Sequence, residues 1–200
     1  MSVGYQLAYR VGLTPWERAG EEAPEAFTRL LAREEEGRTP PWGRALDLGC
    51  GTGAHTVELA QRGWTAVGYD NVSRAVEAAR TKPGAEAVQF VDGDVTDLAG
   101  SGIAGEFELF LDVGCFHGLT DEQRAAYGAG VTSLATSTAT LLLLAFVPGR
   151  RPVLPRGADR SDLERALPGW TVLDVEAADT TGMRGPLKRT APQWFRLGRR

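Results

Sequence analysis

The residues best equipped for chemistry are a run of glycines and the acids spaced around it. Asp47 stands just before Gly49-Cys50-Gly51-Thr52-Gly53, where every second residue is glycine. Glycine adopts backbone angles and allows close approaches that a β-carbon forbids. A ligand can therefore lie directly against main-chain N–H groups. The helical pattern that begins at once adds further donors and a partial positive charge. The cluster is a cradle for a nucleotide-type ligand, with a carboxylate beside it. Asp70, Asp94 and Asp112 each close a later apolar run, and His117 lies shortly after the last of them. His117 titrates near neutrality in water, so it is a candidate general base.

These groups need a scaffold that brings them to one edge. Ala45-Leu46-Asp47-Leu48 reads as a short buried strand. Thr65 to Asp70, Ala87 to Val91, Phe107 to Asp112 and Thr138 to Val147 read as four more. Helical spacing separates them, over Ser73 to Thr81 and Asp121 to Thr136 in particular. Such alternation means a parallel sheet with helices on both faces. The acids then share the carboxyl ends of neighbouring strands, where open α/β sheets bind ligands. Asp70 sits near the offset at which an acid meets ribose hydroxyls. Asp94 can accept a hydrogen bond from an adenine amino group while Val95 packs on the ring.

The flanks read differently. Glu25 to Glu36 is a helix with Ala26, Phe27, Leu30 and Leu31 on one face, and residues 1–42 are expected to form an N-terminal helical cap. Tyr5, Tyr9 and Trp16 within it are candidates for a lid over an acceptor. Ser161 to Leu167 is a short helix with Ser161 as cap and Glu164 three positions on, a capping-box spacing. Trp170 to Ala177 and Gln193 to Leu197 are strands joined by a long loop, which points to an antiparallel pair at the sheet's edge. Residues 43–200 thus form an α/β, Rossmann-like, doubly wound, seven-stranded sheet, mostly parallel.

The chain of 200 residues suits one domain, and its net charge of −4 weighs against nucleic-acid binding. The two cysteines, Cys50 and Cys115, fit neither a disulfide framework nor a zinc site, so reduced thiols and no metal are expected. The longest apolar run, Leu141 to Val147, is too short to span a bilayer. No signal pattern opens the chain, which points to a cytoplasmic protein, monomer or homodimer, with no membrane partner.

Two cofactors compete for the turn. Gly49, Gly51 and Ala54 satisfy the dinucleotide spacing, which would make a nicotinamide-dependent oxidoreductase. Gly49, Gly51 and Gly53 satisfy the pattern of S-adenosylmethionine (SAM) enzymes. Taken together, Ala45 to Gly53, Val67-Gly68-Tyr69-Asp70, Asp92-Gly93-Asp94-Val95 and Phe107 to Asp112 resemble the four motifs of the class I SAM-dependent methyltransferases. The segment Asp112-Val113-Gly114-Cys115-Phe116-His117 and Trp194-Phe195-Arg196-Leu197 resemble the thiopurine and tellurite methyltransferase-like branch. The resemblance implies that Asp47, Gly49 and Gly51 hold the methionine end of SAM, Asp70 the ribose, and Asp94 and Val95 the adenine. It extends the cofactor's lining to Cys50, Gly53, Asn71 and Asp112. It implies methyl transfer to a small-molecule O, S or N acceptor, with S-adenosylhomocysteine (SAH) as product. A non-catalytic SAM-binding module is a further alternative. Under the methyltransferase reading His117 is the candidate base and Asp112 a further catalytic candidate; alternatively Phe116 faces the acceptor and His117 is turned away.

Overall fold

The computed structural model describes residues 24–200 apart from 104, 152, 153, 182 and 184, so Tyr5, Tyr9 and Trp16 lie outside the described residues. Seven strands form one sheet: β1 (Arg44–Leu48), β2 (Thr65–Asp70), β3 (Gln89–Asp92), β4 (Phe107–Val113), β5 (Ala135–Ala145), β6 (Trp170–Ala177) and β7 (Gln193–Arg199). Their spatial order is β3-β2-β1-β4-β5-β7-β6. The first five are parallel, and β7 enters antiparallel between β5 and β6. The chain winds outward from β1 in one direction, then restarts at β4 beside β1 and winds the other way. The crevice at that reversal is the ligand position of an open α/β sheet.

Among the described residues five helices cover the sheet: α1 (Pro24–Glu35), α2 (Ala54–Arg62), α3 (Ser73–Arg80), α4 (Asp121–Leu134) and α5 (Arg160–Ala166). Strand periodicity sorts the central residues to two faces. Leu46, Leu48, Val67, Tyr69 and Phe110 pack with Tyr127 and Val131 of α4 and Leu163 of α5. Ala45, Leu109, Leu111, Leu142 and Trp194 pack on the other face with Phe27, Leu30 and Leu31 of α1 and Leu59 of α2. Asp47 shares the parity of Ala45, and Asp112 that of Phe110. The two acids therefore leave the sheet on opposite faces, which decides their roles.

Helix α1, which falls within the expected N-terminal cap, packs its apolar face into the core. Glu34 receives hydrogen bonds from Arg196 of β7 at 2.6 and 3.3 Å, and Arg33 reaches Asp174 of β6 at 3.1 Å. Leu31 is fully buried. Leu31→Ala is accordingly expected to cost about 2–5 kcal/mol, the range for truncating a buried leucine. Urea denaturation checks this, and a loss below about 1 kcal/mol would show that α1 is dispensable to the fold. One expectation is revised, the α5 cap. The cap is Asp159, whose side chain accepts from the Asp162 N–H at 3.0 Å while Asp162 accepts from the Asp159 N–H at 3.2 Å. Asp159-x-x-Asp162 offers the same reciprocal spacing as Ser161-x-x-Glu164 two residues earlier. Ser161 instead donates its hydroxyl to Asp159.

Candidate active site

The glycine turn is built by strain that only glycine tolerates. Gly49, Gly51 and Gly53 have φ of 76°, 53° and 78°. A β-carbon on Gly49 would lie 2.9 Å from Cys115 Cβ, and one on Gly53 2.7 Å from the Phe90 ring. The turn is fixed by hydrogen bonds from the Gly49 and Cys50 N–H groups to the Tyr69 carbonyl, at 2.7 and 3.2 Å. Asp70 laces it further. One carboxylate oxygen accepts from Gly51 N–H at 2.9 Å, and the other from Val72 N–H at 2.8 Å. Asp70 is 4% exposed, so this carboxylate sits in the floor of the crevice rather than in solvent.

Asp94 lies on the neighbouring strand end. Burial opposes its charge, but hydrogen bonds from Thr96 and Asn71 outweigh that and hold it below the usual carboxylate range. Thr96 donates both its N–H, at 2.9 Å, and its hydroxyl, at 2.7 Å. Asn71 donates its amide N–H to the other Asp94 oxygen at 3.4 Å. That bond fixes the amide's orientation and leaves Asn71 Oδ1 buried without a partner among the described residues. A buried acceptor left unpaired costs free energy, so an N–H or O–H donor is wanted at this point. Val95 beside it is buried and belongs to the core cluster.

Asp47 is buried on the α2 side, where it accepts the Thr56 hydroxyl at 2.6 Å. Burial pushes it up to about 7, with the charges of Asp112 and Asp70 adding to the rise and Thr56 opposing it. Thr56 was not singled out in the sequence. Its signal was its place on the first turn of α2, within reach of the end of β1.

The loop after β4 departs most from expectation. Asp112 has no exposed surface, and its carboxylate is fully engaged inside the fold. It accepts from Cys115 N–H at 2.7 Å, from Phe116 N–H at 3.0 Å and from the Tyr127 hydroxyl at 2.9 Å. Burial raises it to about 6 against the pull of these bonds. Asp112 therefore shapes the loop. Phe116 is turned into the fold as well. Its ring is fully buried, set edge-on to Tyr127 with centroids 5.3 Å apart, and the Arg124 guanidinium lies 4.8 Å from its centre. His117 is 3% exposed, and its Nδ1 accepts the Phe146 N–H at 3.1 Å. Burial, then Arg124 and Arg151, push the ring down to about 3. A neutral imidazole with Nδ1 as acceptor carries its proton on Nε2. It has no ready lone pair with which to act as a base.

Arg124 and Tyr127, which the sequence reading passed over, organise this loop. Arg124 donates to the Gly157 carbonyl at 2.5 Å and pairs with Asp162 at 3.0 Å. The arginines of the 150–160 loop hold that loop to its neighbours. Arg151 donates to the Val147 carbonyl, and Arg156 to the Leu119 carbonyl and Asp121. His55 stacks edge-on against Phe27 of α1, with centroids 4.6 Å apart, and burial and Lys82 push it down to about 4.

This donor set fits an adenosine-bearing cation. The turn is made of positive-φ glycines, and the carboxylates of Asp47 and Asp70 gather beside it. The orphaned Asn71 oxygen lies between the strand ends that would flank a nucleoside. A carboxylate-rich floor of this kind suits SAM.

Comparison with known proteins agrees. Residues 45–136 match a family described as the methyltransferase domain. A 2-heptyl-1-hydroxyquinolin-4(1H)-one methyltransferase of Mycobacteroides abscessus is 31% identical over 178 residues, covering 86% of this chain and 74% of that protein. A probable thiol methyltransferase of Arabidopsis thaliana is 29% identical, covering 94% of this chain and 81% of its own length. A SAM-dependent methyltransferase from Anabaena variabilis shares the fold with a TM-score of 0.74 at 18% identity, covering 100% of this chain and 96% of that one. The nicotinamide alternative finds no counterpart among these. On its relatives, its sheet order and its glycine turn, the chain belongs to the class I SAM-dependent methyltransferases and works as an enzyme of methyl transfer.

Proposed function

We propose that the chain moves the SAM methyl group to a small-molecule acceptor through oxygen, sulfur or nitrogen. The observation that carries this is the bare glycine turn with Asp70, Asn71 and Asp94 gathered at adjoining strand ends. In this reading Asp47, Gly49, Cys50, Gly51 and Gly53 hold the methionine end. Asp70 takes the ribose hydroxyls, Asn71 Oδ1 accepts from a donor of the nucleoside, and Asp94 with Val95 takes the adenine. The relatives named above are described as acting on a hydroxyquinolone and on thiols, both small acceptors. The acidic balance of the chain, net −4, supports a reading without a nucleic-acid substrate. No helix among the described residues is long and apolar enough to cross a membrane. A cytoplasmic monomer or homodimer is the state we propose.

SAM, when bound, supplies a methyl group already activated on a sulfonium. The chain's part is positional. The turn and Asp70 fix the cofactor, the strand ends keep water out, and the loop after β4 presents the acceptor in line with the methyl. Radiolabelled SAM offered with the purified protein to a cell extract tests the reading. Label is expected in a low-mass product extractable from the reaction. Label in precipitated nucleic acid or protein instead would overturn it.

A further inference from the structure

An apolar row crosses the carboxyl edge of the sheet beside the glycine turn. Val113, the last residue of β4, is paired with Leu144 of β5, and Leu144 with Trp194 of β7. Residues paired across strands share a face. All three pack with the cluster on the α1 side, yet Val113 and Leu144 stay partly exposed. At the usual strand spacing the row runs about 10 Å from Val113 to Trp194. It starts next to the cofactor turn. Strand β4 lies beside β1, and Cys115, two residues beyond Val113, meets Gly49, where a β-carbon would lie 2.9 Å from Cys115 Cβ. The row ends at Glu176 of β6, the partner of Trp194, which Arg29 and Arg33 of α1 face at 3.9 Å. Aromatic rings wall it on the helix side. His55, in the first turn of α2, lies edge-on to Phe27 with centroids 4.6 Å apart, and Phe27 stacks on Trp194 at 6.3 Å. Burial, then Lys82, push His55 down to about 4, so its ring is neutral at physiological pH. From Val113 to Trp194 the row and its wall thus present apolar side chains and neutral rings. Apolar side chains left partly open beside a cofactor are the usual lining of a small-molecule site.

We propose that this row is the floor of the acceptor site, and that the acceptor is a flat, uncharged aromatic molecule of about two fused rings, with the atom to be methylated at the Val113 end. This deepens the small-molecule methyl-transfer reading above and rests on it. Burial of apolar area on Val113 and Leu144 drives the binding. The rings of His55, Phe27 and Trp194 favour an aromatic partner over an aliphatic one, because ring faces and edges attract each other beyond their buried area. A charged acceptor would surrender its water to apolar side chains, which costs free energy. The Glu176 carboxylate and its two arginines close the far end and set the length of the apolar body. A rigid ring system lying along the row keeps its substituent in one direction, which is the positional help that methyl transfer needs.

The test uses the full chain saturated with SAH, with 2-naphthol as the probe. Calorimetry of the wild type is expected to show 2-naphthol bound at least about tenfold more tightly than phenol, through burial of the second ring. The charged analogue 2-naphthoate should bind at least about tenfold more weakly than 2-naphthol. Two substitutions then locate the site. Leu144→Gln should weaken 2-naphthol roughly 5- to 20-fold, and Val113→Thr, which keeps the shape of the side chain, roughly 3- to 10-fold. SAH affinity should stay within about twofold in both, which certifies the fold. Leu144→Met, which keeps the floor apolar, should hold 2-naphthol within about threefold of wild type. Equal binding of 2-naphthol and phenol, or of 2-naphthol and 2-naphthoate, would overturn the proposal without any variant. Unchanged 2-naphthol binding in both Leu144→Gln and Val113→Thr would overturn it as well. Transfer of label from SAM to low-mass products that persists unaltered in Leu144→Gln would remove the acceptor from this row and leave the functional reading standing. A chain that binds 2-naphthol on the row but passes its label to nucleic acid or protein would do the reverse.

Discussion

Asp70→Ala is expected to weaken SAM binding by about 10²–10⁴-fold. Two hydrogen bonds from ribose hydroxyls to a carboxylate are each worth roughly 1.5–3 kcal/mol, and in the proposed mode both are lost. The substitution also strips the Gly51 and Val72 N–H groups of their acceptor. The glycine turn then loses the tie that fixes it to the end of β2. The apo protein should melt earlier, because two buried donors lose their partner. Affinity and stability must therefore be separated. A ligand that binds only the folded state raises the melting temperature, and more so the further its concentration exceeds its Kd. SAM should raise it clearly in the wild type and hardly at all in the variant, with circular dichroism showing that the variant is folded at the working temperature. Direct calorimetry gives the affinity itself. An affinity within threefold of wild type would remove the ribose from Asp70.

What could be read from the sequence followed the strength of each local signal. The end of β2 at Asp70 was legible because a compact apolar run stops at an acid and a serine-led helix follows. The glycine turn was legible because three glycines at alternate positions have few other uses. The surroundings of Phe116 and His117 were not legible for one physical reason. Their positions depend on Asp112 capping the turn from below and on Tyr127 closing over it from α4. Nothing near residue 112 in the sequence announces that residue 127 will supply a hydroxyl there. Helix α1 was legible as a helix, yet its apolar face does not say whether it covers a ligand or the sheet. Only its packing against Leu142 and Trp194, on strands formed far along the chain, answers that. Short-range patterns thus gave the elements and the cofactor edge. The acceptor side is made by contacts between distant segments.

Asp47→Asn is expected to stabilise the apo protein at pH 8 and to impair its function. Asp47 sits at about 7 in the fold against 3.8 as its ordinary value, because burial and the neighbouring acids disfavour its charge. Between those values the folded state holds a proton that the unfolded state has lost. Stability is therefore highest, as far as this group is concerned, below about pH 4, and it falls as the pH rises toward 7. At 1.36 kcal/mol per unit the ionised carboxylate costs at most about 4 kcal/mol above pH 7. The amide introduced by Asp47→Asn carries no charge and its oxygen can still accept the Thr56 hydroxyl, so this loss disappears in the variant. Asp112, raised to about 6, bends the wild-type curve in the same direction and would remain to do so. Urea titrations at pH 5 and pH 8 should show the variant's advantage growing with pH. A variant less stable than wild type at pH 8 would mean that the carboxylate is stabilised by a partner in the fold. SAM affinity should move the opposite way. A cation that needs the ionised carboxylate releases its proton on binding, so wild-type affinity should rise between about pH 6 and 8, and the variant should bind more weakly without that rise. In the proposed mode the charge of this buried acid is reserved for a ligand. If Asp47→Asn binds SAM as wild type does at every pH, the carboxylate has no such ligand, and the methionine end of the cofactor must be held elsewhere.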